Sequence, residues 1–157
     1  MAARANAFAG KCHELVSFLV DVRGMKSVEA SFSKSVTYHD SCSGLRELNV
    51  SAQPRKLLAS VKGLTLTEMK NPDVCCGFGG TFAVKYGEIS DQIVTEKCAC
   101  ISGANADVLL AGDLGCLMNM AGKLSRDGSK IEVRHIAEVL AGMTEEAPIA
   151  APKARAS

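Results

Sequence analysis

The feature that most constrains the fold of this chain is an alternation of short apolar segments with longer helical patterns. Four segments are rich in β-branched and apolar residues, and each precedes a stretch with helical spacing. Strands are predicted at residues 35–39, 64–69, 107–111 and 131–134, and helices at 6–22, 53–61, 81–103 (with a break near Gly87), 117–124 and 136–143. The order is one helix followed by four strand–helix units.

This order favours an α/β fold, because parallel strands need a crossover connection that is usually a helix. We predict an open, mainly parallel four-stranded sheet with helices on both faces, a Rossmann-like three-layer arrangement with right-handed crossovers. The length of 157 residues suits one domain, which we place at residues 1–143. The Ala/Pro-rich remainder, residues 144–157, is predicted to be a disordered tail.

Two adjacent cysteines stand before a group of glycines in the middle of the chain. Cys75 and Cys76 precede Gly77, Gly79 and Gly80. Neighbouring side chains of a strand or helix point in different directions, so the two thiols cannot both be ordinary core residues. Glycines allow a tight turn or a close backbone approach to a bound group. We therefore predict that the three glycines bind a cofactor and that sulfur is the functional atom.

The other cysteines that follow predicted strands converge on this doublet. Cys42 follows the first strand, Cys75 and Cys76 the second, and Cys116 the third, while His135 ends the fourth. The carboxyl ends of parallel strands lie on one edge, where ligands bind at a topological switch point. We therefore predict that the four cysteines are metal ligands. His135 either caps the last helix or supports a ligand.

Several kinds of chemistry suit four thiols at one edge. Four thiolates fit an iron–sulfur cluster or a tetrahedral zinc ion. Zinc fits adjacent ligands less comfortably, because neighbouring residues seldom occupy two vertices of one tetrahedron without strain. A third possibility is thiol–disulfide exchange by the pair Cys75–Cys76. His39 and Asp40, just before Cys42, either orient a ligand loop or simply close it.

Composition narrows the cellular context. The 18 basic and 17 acidic residues are interspersed, which argues against nucleic acid or an anionic membrane as a partner. No apolar run is long enough for an integral membrane segment, and the N-terminus lacks the apolar core of a secretory signal, so we expect a cytoplasmic protein. Seven cysteines there indicate metal, redox or burial rather than disulfides. Three are expected to be structural: Cys12, Cys98 and Cys100.

The motifs around the cysteines are similar to those of a known protein family. Residues 38–42, 75–82, 85–86 and 115–118 resemble the cysteine-rich CCG domain, most closely the second such domain of lactate-utilisation iron–sulfur subunits. Subunits of heterodisulfide reductase and anaerobic glycerol-3-phosphate dehydrogenase are more distant. The resemblance implies a [4Fe-4S] cluster, held by Cys42, Cys75, Cys76 and Cys116. It also implies electron transfer during oxidation of L-lactate to pyruvate, alongside other subunits of that complex, with no catalytic residue assigned to this chain.

The sequence departs from the family pattern in three respects. Members of this type usually carry two CCG domains and this chain has one, so we expect a fragment, a split gene product or a truncated reading frame. Asn119 stands where a Cys-x-x-Cys motif starting at Cys116 would have its second cysteine. Ser43 stands where relatives commonly have a histidine. A five-cysteine cluster is therefore not supported.

Overall fold

The sheet at the centre of the protein has four parallel strands in the order β2-β1-β3-β4. The computed structural model describes residues 1–151. The strands are β1 (Ser35–Tyr38), β2 (Thr65–Leu66), β3 (Val108–Ala111) and β4 (Glu132–His135). The helices are α1 (Ala2–Ala9), α2 (Leu15–Ser17), α3 (Ala52–Leu58), α4 (Thr81–Lys85), α5 (Gly87–Gly103), α6 (Leu114–Arg126) and α7 (Ile136–Leu140), with π-helical turns at Phe18–Val22 and Ser43–Glu47.

Strand β3 lies inside the sheet and is covered on both faces. Val108 and Leu110 pack into one apolar cluster, whereas Leu109 and Ala111 pack into the other. Because alternate residues of a strand point to opposite faces, a continuous apolar run is what a strand covered on both sides requires. All four residues of β3 are fully buried. The predicted three-layer α/β fold is confirmed.

Different helices cover the two faces of the sheet. Helices α5 and α6 contact each other on one face, where Ile101 and Leu117 join the cluster of Leu109. On the other face the cluster of Leu110 includes Leu57 of α3 and Ile136 of α7. The core is therefore divided into two layers by the sheet.

The strand order places a switch point between β1 and β3. From β1 the chain moves outward to β2, then crosses to the other side of β1 to form β3 and β4. Connections from neighbouring strands thus leave in opposite directions, which opens a crevice at their carboxyl ends. His39 follows β1 at this edge, and Gly112 follows β3.

The predicted single helix at residues 6–22 is wrong. Helix α1 ends at Ala9, and a new helix starts at Leu15, where the Glu14 side chain accepts the backbone N–H of Ser17 at 2.8 Å. This cap fixes a second helix start and separates the two segments. Cys12, predicted to be buried on an apolar stripe, lies in the connection and is exposed.

Two other elements, β2 and the helical segment at residues 81–103, differ from their predictions. Strand β2 is limited to two residues instead of the predicted 64–69, because only Thr65 and Leu66 pair with β1. The helical pattern of 81–103 is broken at Tyr86, as predicted near Gly87. The helical spacing of Ile89, Ile93, Cys100 and Ala104 predicts one apolar face, but Ile89 is 54% exposed, so this prediction is wrong at the start of the helix.

The buried face of α5 is rotated relative to that prediction, and a lysine lies on it. Lys97 is fully buried, and its Nζ donates to the carbonyl oxygens of Asn71 and Pro72 at 2.9 Å each. Apolar spacing alone cannot indicate this face, because a lysine occupies part of it. Cys98 is buried in the core, as expected of a structural residue.

The described part of the predicted tail contacts the sheet. The Ile149 N–H donates to the Val133 oxygen at 2.9 Å, and the Ile149 side chain packs against the core. Residues 152–157 of that tail lie outside the described residues, so the division at residue 143 stays a prediction. Within residues 1–151, no helix is both long and apolar enough to cross a membrane.

Candidate metal centre

Two buried thiols meet at the switch-point edge. The Sγ atoms of Cys76 and Cys116 are 2.9 Å apart, and both cysteines are free. Cys76 comes from the loop after β2. Cys116 was predicted in the loop after β3 but lies in the first turn of α6, because Asp113 caps that helix by accepting the Cys116 N–H at 3.0 Å.

Close contact makes the two thiols inequivalent. The hydrogen bond between the two thiols lowers the pKa of Cys76, against the opposing effect of burial and with further help from His39. The same hydrogen bond, together with burial, raises the pKa of Cys116. Of the two cysteines, Cys76 is therefore the one that favours the thiolate form. A thiolate is the form of cysteine that binds metals.

His39 completes a compact group of donors. It is 1% exposed, and a ring nitrogen lies within 4.8 Å of both sulfurs, which also lie within that distance of each other. Its Nδ1 lies 3.2 Å from the Pro72 oxygen, while Nε2 has no hydrogen-bond partner in the part of the chain described. A buried polar atom without a partner costs about 1–3 kcal/mol. The trio of His39, Cys76 and Cys116 is a possible metal-binding group.

The carbonyl of Pro72 organises the loop before the doublet. It accepts the Asp40 N–H at 3.1 Å and the Lys97 ammonium at 2.9 Å, and faces Nδ1 of His39. Burial lowers the pKa of Lys97. One carbonyl thus connects the end of β1, helix α5 and the loop leading to Cys76.

Asp40 closes its loop through an ion pair. Arg55 of α3 donates two hydrogen bonds to Asp40, both at 2.9 Å, and two to Glu68, at 2.6 and 3.0 Å. The guanidinium also lies 5.4 Å from the centroid of the Tyr38 ring. Because Asp40 is 4% exposed and fully engaged, its role here is to hold the edge of the sheet together.

Two glycines let the doublet loop sit close to helices α5 and α6. Gly77 has φ +82°, and an added Cβ would lie 2.7 Å from the Ser90 oxygen. Its own carbonyl accepts the Ser90 hydroxyl at 2.8 Å. At Gly115 an added Cβ would lie 2.6 Å from the Phe78 ring. Packing alone explains why position 77 is glycine.

The other predicted cofactor-binding glycines have freer surroundings. Gly79 and Gly80 both adopt positive φ, +51° and +60°. An added Cβ at Gly80 would meet nothing within 4 Å, and one at Gly79 would meet the Phe82 side chain at 3.0 Å. Contact of these glycines, and of Gly77, with a cofactor stays a prediction.

Asn119 has a defined structural role at the position of the missing family cysteine. Its Nδ2 donates to the Cys76 carbonyl at 2.8 Å. Since this bond links α6 to the doublet, it fixes the backbone of one buried thiol relative to the helix that carries the other.

Cys42 and Cys75 are exposed at the rim of the same site. The Gly77 N–H donates to Cys75 Sγ at 3.3 Å, and Ser43 donates to Asp113 at 3.3 Å, which ties the Cys42 loop to the start of α6. Of the four predicted ligands, two are therefore in contact and two lie outside the compact trio.

His135 caps the last helix. Its Nδ1 accepts the Ala137 N–H at 3.1 Å, and its Nε2 donates to the Gly112 oxygen at 3.0 Å. The Glu138 side chain completes a capping box by accepting the His135 N–H at 2.8 Å. Both ring nitrogens are engaged in the fold, and the bond to Gly112 supports the loop before Cys116.

Comparison with known proteins identifies the family. The family model named "Cysteine-rich domain" (CCG) matches residues 36–121, which run from β1 into α6 and include all four predicted ligands. The chain belongs to the cysteine-rich CCG domain family. The resemblance predicted from the doublet and its flanking motifs is confirmed.

Curated relatives of this CCG domain share about half its residues. "Lactate utilization protein A" of Bacillus velezensis is 50% identical over 88% of this chain. The proteins of the same name from Geobacillus sp. (strain WCH70) and Bacillus subtilis (strain 168) are 52% and 47% identical, each over 87% of this chain. In each case the chain spans 58% of the relative's own length.

Sequence reasoning left two residues of the site unassigned. His39 was recognised beside Cys42 but not as a donor facing the thiols; its place directly after β1, at the switch-point edge, is the available signal. Lys97 was not recognised at all. It shares the buried face of α5 with Val94 and Ile101, but its spacing alone does not distinguish it from an exposed lysine.

Proposed function

We propose that this CCG domain is an iron–sulfur electron-transfer unit in the oxidation of L-lactate to pyruvate. The observation that supports it most is the pair of buried free thiols, 2.9 Å apart, at the carboxyl edge of β1 and β3. Soft sulfur ligands favour iron–sulfur clusters, zinc or Cu(I) over hard cations. Cys76 and Cys116 would hold the buried side of a [4Fe-4S] cluster, with Cys42 and Cys75 on its exposed side.

The residues around the thiols suit such a group. The Phe78 N–H helps to lower the pKa of Cys76, and the Gly77 N–H donates to Cys75 Sγ at 3.3 Å. Hydrogen bonds to cluster sulfurs and burial set the reduction potential. When bound, the cluster supplies one-electron redox chemistry; the chain itself contributes ligands, N–H donors and an apolar surround.

We propose lactate as the electron donor because the relatives are named "Lactate utilization protein A". Oxidation of lactate to pyruvate releases two electrons and two protons, and we place that step outside this domain. A lactate carboxylate needs a free cation, whereas Arg55 and Lys97, which lie beside the site, already bind other groups. The domain would receive electrons one at a time.

The proposed partners are the other subunits of a lactate-oxidising complex and a second CCG half. The relatives are longer than this chain, which leaves room for such a half in them. Apolar side chains next to the site's cysteines are exposed in the described chain: Val74, Leu114 and Met118. An apolar rim of this kind suits contact with a protein partner. We place the protein in the cytoplasm, where thiols remain reduced.

Anaerobic loading of matched cysteine variants tests the proposal. The full chain is reconstituted with iron and sulfide, and its cluster absorbance and metal content are measured. Cys76→Ser and Cys116→Ser should lose the cluster, whereas Cys12→Ser, at an exposed cysteine outside the family match of residues 36–121, should keep it. The lactate assignment requires reduction of the loaded chain by lactate together with its companion subunits. A loaded chain that stays oxidised in that mixture contradicts the assignment.

A zinc-binding structural or docking module is a second candidate. The trio of His39, Cys76 and Cys116 favours it, because two cysteines and one histidine with an open fourth position form a known zinc ligand set. One zinc per chain without acid-labile sulfide would select this function. Disulfide exchange by Cys75 and Cys76 has less support, since Cys75 is exposed while Cys76 is buried against Cys116.

A further inference from the structure

We propose that His39 is a metal ligand of this centre, binding through Nε2, so that the buried side of the site is ligated by two cysteines and one histidine, and one of the two exposed cysteines, Cys42 or Cys75, completes the four ligands of the cluster. This inference rests on the proposed metal-binding function and refines it. It assigns a nitrogen donor to a site that the cysteine motif describes by sulfur alone.

The backbone at His39 fixes where the imidazole lies. The His39 N–H donates to the Leu110 oxygen at 2.9 Å, which extends the pairing of β1 and β3 by one residue. The residue is 1% exposed, in the crevice between the carboxyl ends of these strands. The ring therefore belongs to the rigid sheet, while Cys76 and Cys116 approach it from the loop and from α6.

The hydrogen bond at Nδ1 determines the form of the neutral ring. Nδ1 lies 3.2 Å from the Pro72 oxygen, and a carbonyl oxygen can only accept. Nδ1 therefore carries the proton, and the lone pair of the neutral imidazole is on Nε2. The Pro72 carbonyl is itself fixed by the Asp40 N–H and the Lys97 ammonium. A backbone carbonyl behind the distal N–H is the usual support of a metal-ligating histidine.

Nε2 is the ring nitrogen without a role in the fold. It is buried and has no hydrogen-bond partner within residues 1–151, and the ring lies beside the two sulfurs of Cys76 and Cys116. His135 offers a contrast, because both of its nitrogens are engaged, by Ala137 and Gly112. His13 is exposed and stacks near Phe18. Of the three histidines, His39 alone belongs to the compact group of donors and keeps a buried ring nitrogen without a hydrogen-bond partner in residues 1–151.

A competing arrangement is a protonated His39 that donates from Nε2 to the Cys76 thiolate. The ring would then bind no metal, and the pair would be an imidazolium–thiolate pair. The two arrangements differ in whether the histidine nitrogen is bonded to the metal, which pulsed EPR measures directly.

The test compares full-length chain labelled with [15N]histidine and chain with natural nitrogen. Both are reconstituted anaerobically with iron and sulfide, reduced, and measured by pulsed EPR. We expect a strongly coupled nitrogen that changes with the label, is absent in His39→Ala, and is retained in the matched control His13→Ala. Imidazole added to His39→Gly should restore the coupling if the variant keeps its fold. A cluster with no histidine coupling, or with the same coupling in His39→Ala, overturns the proposal while leaving the proposed function intact.

A wild-type chain that takes up no cluster would refute the proposed function. The ligand role of His39 can then still be tested with a single metal ion. Co²⁺ is then the probe. Binding of Co²⁺ is followed by its tetrahedral absorption spectrum. An affinity for Co²⁺ that falls at least tenfold in His39→Ala, but not in His13→Ala, supports ligation by His39. Absence of Co²⁺ binding, or equal binding by both variants, overturns it.

Discussion

The Sγ atoms of Cys76 and Cys116 lie 2.9 Å apart, although 39 residues separate the two cysteines in the chain. The parallel sheet produces this contact, because β1 and β3 end side by side and the loop after β2 returns to the same edge. Helix α5 holds that loop through Gly77, and α6 holds it through Asn119. The contact is therefore a property of the fold as a whole.

Gly77→Ala should destabilise the protein strongly. An alanine would adopt φ +82° with its Cβ 2.7 Å from the Ser90 oxygen, so the loop or α5 would have to move. We expect a loss of about 2–4 kcal/mol in the free energy of unfolding, measured by chemical denaturation. Gly128→Ala is the matched control, with φ +71° and open space at Cβ after the end of α6, and should cost only about 1 kcal/mol. Equal losses in the two variants would contradict this account of the loop.

Arg55→Met should leave Asp40 without its ion partner at a site that is 4% exposed. Removing one partner of a buried pair costs about 3 kcal/mol, and partial exposure of Arg55 reduces this to about 2 kcal/mol. Thermal or chemical unfolding measures the loss. Lys56→Met, at the next residue of α3, should change stability by less than about 0.5 kcal/mol. If both variants were equally stable, Asp40 would not depend on Arg55.

Asn119→Ala should weaken retention of the metal while leaving the ligands in place. Loss of the 2.8 Å bond from Asn119 to the Cys76 carbonyl frees the doublet from α6. We expect release of bound iron to a chelator to become roughly tenfold faster, by analogy with other groups that support metal ligands. Met118→Ala, at an exposed neighbour on α6, should release iron at the wild-type rate. Unchanged release from Asn119→Ala would assign the amide no role in holding Cys76.

The ion pair of Glu132 and Lys34 should make stability depend on pH in the acid range. Burial opposes the shift, but the hydrogen bond and charge of Lys34, with Arg134, lower the pKa of Glu132 below its ordinary value. Since the folded pKa is the lower one, the stabilisation is present above the ordinary glutamate value near 4.3 and is lost as pH falls through the folded value. Both side chains are about one-third exposed, so the contribution is about 0.5 kcal/mol.

Glu132→Gln measures this contribution. The wild type should exceed the variant by about 0.5 kcal/mol in the free energy of unfolding at pH 7, and the difference should disappear below the folded pKa. If this difference in the free energy of unfolding stayed constant down to pH 2, it would arise from packing and not from the charge of Glu132.

The sequence was sufficient to predict the sheet and to bring Cys76 and Cys116 to the same edge of it. β3 is recognisable because a strand covered on both faces is apolar throughout, and Cys42, Cys76 and Cys116 were placed at one edge because each follows a strand of a parallel sheet. It was insufficient wherever a polar contact decides the local structure. Glu14 starts a new helix inside an apparently continuous pattern, and Lys97 is buried because two carbonyls receive its ammonium.

The role of His39 was beyond sequence reasoning for the same kind of reason. The Pro72 oxygen that faces Nδ1 belongs to a loop 33 residues further along the chain, and Nε2 has no partner in the described residues. Neither contact can be deduced from the residues next to His39. Likewise, the pattern of cysteines does not reveal that Cys42 and Cys75 are exposed while Cys76 and Cys116 are buried, since all four follow strands in the same way.

The most direct test of the central claim is the iron and acid-labile sulfide content of the anaerobically purified full chain, measured together with zinc. Our account predicts iron and sulfide in equal amounts, about four of each per chain for a [4Fe-4S] cluster, and their loss in Cys76→Ser. One zinc per chain without sulfide, or a folded chain that takes up neither metal after reconstitution, would contradict it.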